Sequence, residues 1–210
     1  MQEDYAIVNT STRALVPSWG PIGPGPARRT GGAASAGAVF YGAAVIVLVL
    51  GGARSGKSEL AEQWVERLGS PVTYVATGWN DDDAMAARIE AHRVRRPASW
   101  ATLEVGTGLA EALRSVHGAV LVDALGTWLA RHRDFEVDAG DLCRALQERD
   151  GDTVVVSDEV GLGVHPETAV GLAFRDALGS LNRAVAGVAD RAVLVVAGRV
   201  LELDRWDGGR

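Results

Sequence analysis

The segment that most restricts the fold of this chain is the glycine-rich loop GGARSGKS at residues 51–58. It follows the apolar run 45–50, which has the length and composition of a buried strand, and it precedes a helical pattern. A loop in this position directs backbone N–H groups and the positive end of the helix dipole at one point, where phosphate oxygens bind. The pattern GxxxxGK[ST] between a strand and a helix therefore predicts a P-loop.

The residue types within the loop indicate how it would bind a nucleotide. Gly51 and Gly56 permit the turn and a close approach of the backbone to the ligand, while Lys57 adds a positive charge and is a candidate catalytic residue. The hydroxyl of Ser58 is placed to bind a Mg²⁺ ion shared with the β and γ phosphates. We predict that the whole loop binds nucleotide, through Gly51, Gly52, Ala53, Arg54, Ser55, Gly56, Lys57 and Ser58.

Short β-branched runs alternate with helical patterns from Val45 to the end of the chain. This alternation predicts an α/β fold of the P-loop NTPase type, with a mostly parallel sheet and helices on both faces. Strands are predicted at 45–50, 72–76, 102–105, 119–122, 153–157 and 192–197, and helices at 57–68, 82–92, 109–116, 141–148 and 174–189.

Phosphate chemistry with a bound metal also needs a carboxylate at the end of a neighbouring strand. Asp123 and Asp158 both follow strand-like runs, and either could serve, although an acidic helix cap is the plainer alternative for each. Asp123 ends its run directly, whereas Asp158 lies one residue beyond its own. We therefore expect Ser58 and Asp123 to bind the metal.

A second informative segment is AHRVRRP at residues 91–97, an imidazole followed by three arginines and a proline. Arginines can bind phosphates as bidentate donors, so at least one of them is expected to contact the nucleotide. An imidazole nitrogen can attack phosphorus, which makes His92 a candidate nucleophile. Met85, Ile89 and His92 are also spaced like the apolar stripe of a helix, and a core role for His92 stays open on spacing alone.

The charge and cysteine content exclude several kinds of partner and bond. Asp and Glu number 27 against 21 Lys and Arg, a formal net charge of −6, so we predict no nucleic-acid partner. Cys143 is the single cysteine, which excludes an intramolecular disulfide and a cysteine zinc cluster and fits a reducing cytosol.

The N-terminal segment differs in composition from the rest of the chain. It carries four prolines between residues 17 and 26 and a Gly/Ala/Ser-rich run at 31–37, a composition that buries little apolar surface. We predict a disordered extension at 1–43 and one P-loop domain at 44–210.

The uncharged run 36–53 is interrupted by glycines, and its most apolar part has only the length of a strand. We therefore predict no membrane span and a cytoplasmic protein.

From Val45 to its end, the chain resembles the bifunctional cobinamide kinase and cobinamide-phosphate guanylyltransferase family of cobalamin biosynthesis. The resemblance rests on the loop 51–58, on YVAT at 74–77 and on DDAMAARI at 82–89. It continues through His92 with Arg96, Pro97 and Trp100, and then through DEVGLG at 158–163, FRD at 174–176, Asn182, Ala189 and Asp190.

This resemblance implies a two-step enzyme. A nucleoside triphosphate, ATP or GTP, first phosphorylates a hydroxyl of adenosylcobinamide, and GTP then guanylylates a histidine that corresponds to His92. The phosphorylated corrinoid next accepts the GMP. The resemblance also implies nucleotide contacts at Ala76, Thr77, Gly78, Arg93, Val94, Arg95, Arg96, Glu104 and Asp123, and a homo-oligomer, typically a trimer.

Two other functions remain compatible with the residues themselves. One is a simpler P-loop kinase of a small molecule or nucleotide, in which the arginines 93–96 form a lid and His92 belongs to the core. The other is a nucleotide-dependent switch without enzymatic activity, although the chain contains no NKxD guanine signature.

Overall fold

The computed structural model describes residues 44–78 and 96–206. These residues form seven strands: β1 Ile46–Gly51, β2 Val72–Ala76, β3 Ala101–Glu104, β4 Ala119–Asp123, β5 Thr153–Asp158, β6 Arg191–Val196 and β7 Arg199–Glu202. The helices are α1 Lys57–Leu68, α2 Leu109–Ser115, α3 Leu125–Leu129, α4 Ala139–Glu148 and α5 Ala169–Val188, with a short 3₁₀ turn at Arg133–Phe135.

The strands form one sheet in the order β3-β2-β4-β5-β1-β6-β7. All neighbouring strands are parallel except β6 and β7, which pair in antiparallel fashion at one edge. The strand that leads into the P-loop, β1, lies between β5 and β6 in the interior. The carboxyl ends of β1, β4 and β5 therefore meet at the same edge of the sheet, where parallel α/β folds bind their ligands.

The sheet is covered by helices on both faces, as predicted. Along β1, Ile46, Leu48 and Leu50 pack into the cluster that contains the buried residues of α2, α3, α4 and α5. Val47 and Val49 point the other way and pack with Ala61, Trp64 and Val65 of α1. Because both faces of β1 are covered, the strand is apolar throughout instead of alternating with polar residues.

The predicted elements agree closely with the structure, apart from their ends. Helix α1 and strand β2 have the predicted bounds, and each of the other predicted strands is shifted or extended by about one residue, the usual uncertainty in an element's end. Helix α2 ends at Ser115 and not at residue 116. Helix α4 begins before residue 141, at Ala139, because the side chain of Asp138 caps it by accepting from the N–H of Asp141.

The longest helix was predicted too short. It begins at Ala169 and not at residue 174, because Thr168 caps it by accepting from the N–H of Gly171. The predicted helix 82–92 and the extension 1–43 lie outside the described residues. Within the described part of the chain, no helix has both the length and the apolar character needed to span a bilayer.

Candidate active site

The loop between β1 and α1 has the backbone of a phosphate cradle, and two of its glycines are required by geometry. A Cβ atom on Gly51 would lie 2.5 Å from Oγ of Ser55 and 2.8 Å from the carbonyl oxygen of Val195. Gly56, directly before the helix, has a φ of 93°, a conformation that other residues rarely adopt. The sequence-predicted loop therefore forms, and its glycines allow the tight path of the backbone.

Lys57 is the first residue of α1 and is almost completely buried, with 4% of its surface exposed. Its Nζ atom donates to the carbonyl oxygen of Gly52 at 3.1 Å and forms an ion pair with Oδ1 of Asp158 at 2.9 Å. A buried ammonium group needs such partners, because desolvation of an unpaired charge is unfavourable. The lysine is thus held inside the cradle between a loop carbonyl and the end of β5.

The second carboxylate of the site, Asp123, lies at the end of β4 and faces the next residue of α1. Oγ of Ser58 donates to Oδ1 of Asp123 at 3.3 Å, and the hydroxyl of Tyr74 donates to Oδ2 at 3.0 Å. Burial, followed by the charge of Asp123, raises the pKa of Tyr74 well above its usual range. The phenol therefore stays protonated near neutral pH and remains a donor to the carboxylate.

Ser58 and Asp123 form a donor set that suits Mg²⁺. The hydroxyl and carboxylate oxygens are adjacent, and they are the hard ligands that this ion prefers. Within residues 44–78 and 96–206, no group of three His, Cys, Asp or Glu side chains is arranged to hold a metal. Mg²⁺ commonly takes one or two protein ligands and completes its shell with water and nucleotide phosphates.

Arg96 is the member of the predicted arginine cluster that the structure describes. Its guanidinium carbon lies 3.3 Å from the centre of the Tyr74 ring, in a cation–π contact. Arg96, Tyr74, Asp123 and Ser58 thus form a continuous series of contacts that ends at the P-loop. His92, Arg93, Val94 and Arg95 lie outside the described residues.

The end of β2 carries three further residues that were predicted to contact nucleotide. Thr77 is fully buried, and its hydroxyl bonds to the backbone of Ala124, accepting from N–H at 2.8 Å and lying 2.7 Å from the carbonyl oxygen. Arg131 donates to the carbonyl oxygens of Thr77 at 3.0 Å and of Gly78 at 2.8 Å. The N–H of Thr77 donates to the carbonyl oxygen of Asp123 at 3.4 Å, so both the side chain and the backbone of Thr77 are engaged within the protein.

The remaining predicted contacts lie at the same edge of the sheet. Ala76 is the last residue of β2 and pairs with Glu104, the exposed last residue of β3. On the other side Ala76 pairs with Asp123 of β4. The structure thus brings together the loop 51–58, Ala76, Thr77, Gly78, Arg96, Glu104 and Asp123 along one edge.

Three side chains of the site were not assigned a role from sequence: Tyr74, Arg131 and Asp158, the last having been considered only as an alternative metal ligand. Tyr74 could have been found from the register, because Tyr74 and Asp123 lie two positions apart along paired strands and share a face of the sheet. Arg131 had no sequence signal, since it reaches Thr77 across a large separation in the chain.

A parallel sheet with a P-loop after an interior strand, and with a lysine, a serine and two carboxylates converging on that loop, defines a P-loop nucleotide-binding protein. The family model described as cobinamide kinase / cobinamide phosphate guanyltransferase matches residues 47–203. The chain belongs to this family, and the match runs from the second residue of β1 to beyond the end of β7.

Relatives with curated names agree with this membership. The chain is 45% identical over 130 residues to the bifunctional adenosylcobalamin biosynthesis protein CobP of Pseudomonas aeruginosa. The aligned region covers 57% of this chain and 74% of the relative. It is 34% identical over 154 residues to the bifunctional adenosylcobalamin biosynthesis protein CobU of Escherichia coli, covering 63% of this chain and 84% of the relative. The CobU protein of Salmonella typhimurium matches with the same identity and coverage.

Proposed function

We propose that this chain is a bifunctional enzyme of cobalamin biosynthesis that phosphorylates adenosylcobinamide and then transfers GMP to the product, giving adenosylcobinamide-GDP. Its family membership supports both activities. The observation that carries the proposal is the convergence of Lys57, Ser58, Asp123 and Asp158 on one P-loop. A chain of this family with such a cradle can hold a triphosphate and present it to an acceptor.

The kinase step needs positioning and charge neutralisation more than covalent help from the protein. The acceptor hydroxyl of the corrinoid attacks the γ phosphorus, and the bond from that phosphorus to the bridging oxygen breaks. Lys57 is placed to stabilise the charge on the phosphate oxygens, because the cradle already holds its ammonium group at the loop. The backbone N–H groups of the loop bind the remaining phosphates.

A Mg²⁺ ion would be held by Ser58 and Asp123, whose oxygens face each other in the site. When bound, it would neutralise negative charge shared between the β and γ phosphates. Tyr74 keeps Asp123 in place by donating to the carboxylate oxygen that does not face Ser58. Arg96 stacks on the ring of Tyr74 and so helps to hold the phenol in place.

The transferase step is assigned to His92. A neutral imidazole attacks the α phosphorus of GTP, pyrophosphate leaves, and GMP stays on the histidine as a phosphoramidate. The phosphate of adenosylcobinamide phosphate then displaces the histidine. Because the transfer is divided into two displacements, the attacking and leaving groups can be in line at the α phosphorus in each of them. Arg93, Arg95 and Arg96 are proposed to neutralise charge on the phosphate during both displacements.

We further propose that the protein works as a homo-oligomer, a trimer by family resemblance, in the cytoplasm and without a nucleic-acid partner. The corrinoid is its small-molecule substrate, and GTP and ATP are its nucleotide substrates. The negative net charge of −6 supports a site that recognises phosphate locally instead of through an overall basic surface.

Incubation with α-labelled GTP tests the covalent step. A label that stays on the protein in base and is lost in acid, as a phosphoramidate is, supports guanylylation of a histidine. Absence of label, together with phosphorylation of adenosylcobinamide, would leave the simpler kinase. Nucleotide binding without either reaction would leave the switch.

The variant His92→Asn separates the two activities. Because only the transferase step uses the imidazole, we expect this variant to lose the label from α-labelled GTP while keeping most of its kinase turnover. The measurement is corrinoid phosphorylation and protein labelling on the same preparation, with folding checked by circular dichroism. Equal loss of both activities in a folded variant would contradict the assignment.

A further inference from the structure

The carboxylate of Asp158 lies in the candidate site, but the steps described so far do not use it. We propose that Asp158 is the group that accepts the proton of the acceptor hydroxyl in the kinase step. The inference rests on the proposed function, because it concerns the alcohol that receives the γ phosphoryl group. From its sequence position alone, Asp158 is only an alternative to Asp123 as a metal ligand.

The two carboxylates of the site have different partners. Asp123 bonds to Ser58 and Tyr74, so it faces the side of the loop that is suited to a metal. Asp158 is at the end of the neighbouring strand β5 and pairs with Lys57. A carboxylate beside the lysine is on the side where the γ phosphoryl group would be transferred, since the P-loop lysine reaches the β and γ phosphates.

The side chain of Asp158 is also accessible to solvent, whereas that of Lys57 is buried. Its side chain is 34% exposed, against 5% for the side chain of Lys57. Among the residues that the structure describes, Lys57 is the one donor to this carboxylate, and it uses only Oδ1. The second oxygen, Oδ2, therefore retains its capacity to accept a hydrogen bond from a ligand.

A glycine on α3 gives Oδ2 its space. A Cβ atom placed on Gly126 would lie 2.6 Å from Oδ2 of Asp158, so a side chain there would require this oxygen to move. Gly126 is buried inside a helix, where alanine would otherwise be favoured. The Asp158 carboxylate can therefore occupy this position because residue 126 has no side chain.

The backbone that carries Asp158 is fixed against both the loop and the longest helix. Nδ2 of Asn182 on α5 donates to the carbonyl oxygen of Asp158 at 3.0 Å, and the hydroxyl of Ser157 donates to Oδ1 of Asn182 at 2.6 Å. The N–H of Glu159 donates to the carbonyl oxygen of Gly51 at 3.1 Å. This bracing gives the carboxylate a fixed position relative to the P-loop, as a proton acceptor requires.

Charge also favours this role. Phosphates bound in the loop provide Lys57 with a second anionic partner, and Asp158 then faces a polyanion. A carboxylate in that position repels the nucleotide unless a hydrogen lies between them, and the hydroxyl of an acceptor alcohol supplies that hydrogen. The site would therefore favour the ternary complex over the complex with nucleotide alone.

The step balances without any further reactant. The hydroxyl oxygen forms a bond to the γ phosphorus, the bond between that phosphorus and the bridging oxygen breaks, and the nucleoside diphosphate leaves. The hydroxyl proton moves to Asp158 and from there to solvent. In GMP transfer the acceptor is already a phosphate oxygen without a proton, so that step does not need Asp158.

The variant Asp158→Asn tests this role, because the amide keeps an oxygen for Lys57 but cannot take up a proton. We expect turnover in the phosphorylation of adenosylcobinamide to fall by about 10²-fold or more, the usual contribution of a general base. The dissociation constant for the triphosphate and the labelling by α-labelled GTP should stay within a few-fold of the wild-type values.

Two companion variants distinguish proton transfer from a structural effect. Glu159→Gln removes the adjacent carboxylate but keeps the oxygen that accepts from the N–H of Gly161, and it should retain kinase turnover. Gly126→Ala leaves Asp158 in the chain but displaces its Oδ2, so it should lose kinase turnover while keeping the α-label.

Other results would reject either the role of Asp158 or the proposed function, and the two cases can be told apart. Kinase turnover of Asp158→Asn close to that of the wild type overturns the role of Asp158 and leaves the proposed function intact. Equal loss of nucleotide affinity and of labelling means that Asp158 only holds Lys57, and it also overturns the role. A wild-type enzyme that does not phosphorylate adenosylcobinamide at all rejects the proposed function itself.

Discussion

At the scale of single residues, the orientation of the Asp123 carboxylate depends on two hydroxyl groups that donate hydrogen bonds to it. Asp123 accepts from both Ser58 and Tyr74, so its two oxygens are engaged by donors before any ligand binds. Tyr74 is 5% exposed, and its raised pKa keeps the donor protonated. A metal ion bound at Ser58 and Asp123 would therefore find the carboxylate already held in one orientation.

The raised pKa of Tyr74 predicts a stability effect in alkaline solution. In the unfolded chain tyrosine ionises at about pH 10, whereas the folded protein keeps the phenol protonated to higher pH. Below that unfolded value the contribution is fully present, and as pH rises through the window up to the folded pKa it is lost. The free energy of unfolding should therefore fall by up to about 1.4 kcal/mol per pH unit in this window.

Comparison with Tyr74→Phe isolates this effect, because phenylalanine keeps the ring under Arg96 but has no group to ionise. Urea unfolding between about pH 9 and 11 should show a steeper decline for the wild type than for Tyr74→Phe. Tyr41→Phe, in the segment 1–43 that is predicted to be an extension, is the matched control and should follow the wild type. Parallel curves for all three proteins would show that the phenol of Tyr74 ionises normally.

The residues of the site differ in how far sequence could identify them. The loop residues 51–58 share one contiguous motif, so their proximity follows from covalent connection. Asp123 was found because it ends a strand, but the choice of partner for each carboxylate depends on strand order. Asp158 meets Lys57 because β5 pairs with β1, and no local pattern shows that pairing.

At the scale of secondary-structure elements, the end of β2 is joined to the start of α3 by one buried hydroxyl. Oγ1 of Thr77 bonds to the backbone of Ala124 and also lies 2.7 Å from Oγ1 of Thr127. Ala124 directly follows Asp123, so these bonds fix the exit of β4 just beyond the candidate metal ligand. Arg131 adds bonds to the carbonyls of Thr77 and Gly78.

Thr77→Val tests this junction with a side chain of the same shape. The variant removes the nearer of the two hydroxyl acceptors of the Ala124 N–H, at 2.8 Å, and leaves the one at 3.3 Å on Thr127. This loss should lower the free energy of unfolding by about 0.5–1.5 kcal/mol. Thr77→Ser keeps the hydroxyl and should restore most of that loss. Urea unfolding of the three proteins measures the difference, and a Val variant as stable as the wild type would show that water or a neighbouring group replaces the hydroxyl.

The elements that sequence did not predict are short or lack the usual signals. Helix α3 spans only Leu125–Leu129, too few residues for a helical period to be recognised. Strand β7 follows β6 through a turn at Ala197 and Gly198, with φ values of 49° and 71°. Alanine rarely adopts that conformation, so the turn lacked the Asn-Gly or Asp-Gly sequence that marks such hairpins.

At the scale of the whole molecule, one strand connects the fold to the site. β1 pairs with β5 and β6 and contributes side chains to both apolar clusters, and it ends at the first glycine of the P-loop. Its central residues Val47, Leu48 and Val49 are completely buried. The parallel α/β architecture was predictable because a strand packed by helices on both faces has a continuous apolar sequence.

The position of β1 also predicts where the chain can be shortened. Among the described residues, the first whose backbone bonds at the start of β5 is Val45, which donates to Oδ1 of Asp152 at 2.7 Å and accepts from the N–H of Thr153 at 2.8 Å. A chain of residues 44–210 retains both bonds and all of β1. We expect it to keep the unfolding midpoint and both enzymatic activities of the full chain.

A second deletion, leaving residues 49–210, provides the contrast. It removes Ile46, Val47 and Leu48 from an interior strand, together with about 1.5–3 kcal/mol of burial for each side chain, and it should not fold. Urea unfolding, circular dichroism and the two activity assays on the three lengths of chain measure the outcome. If removal of 1–43 alone lowered stability by several kcal/mol or abolished one activity, the domain boundary at residue 44 would be wrong and the extension would be part of the working enzyme.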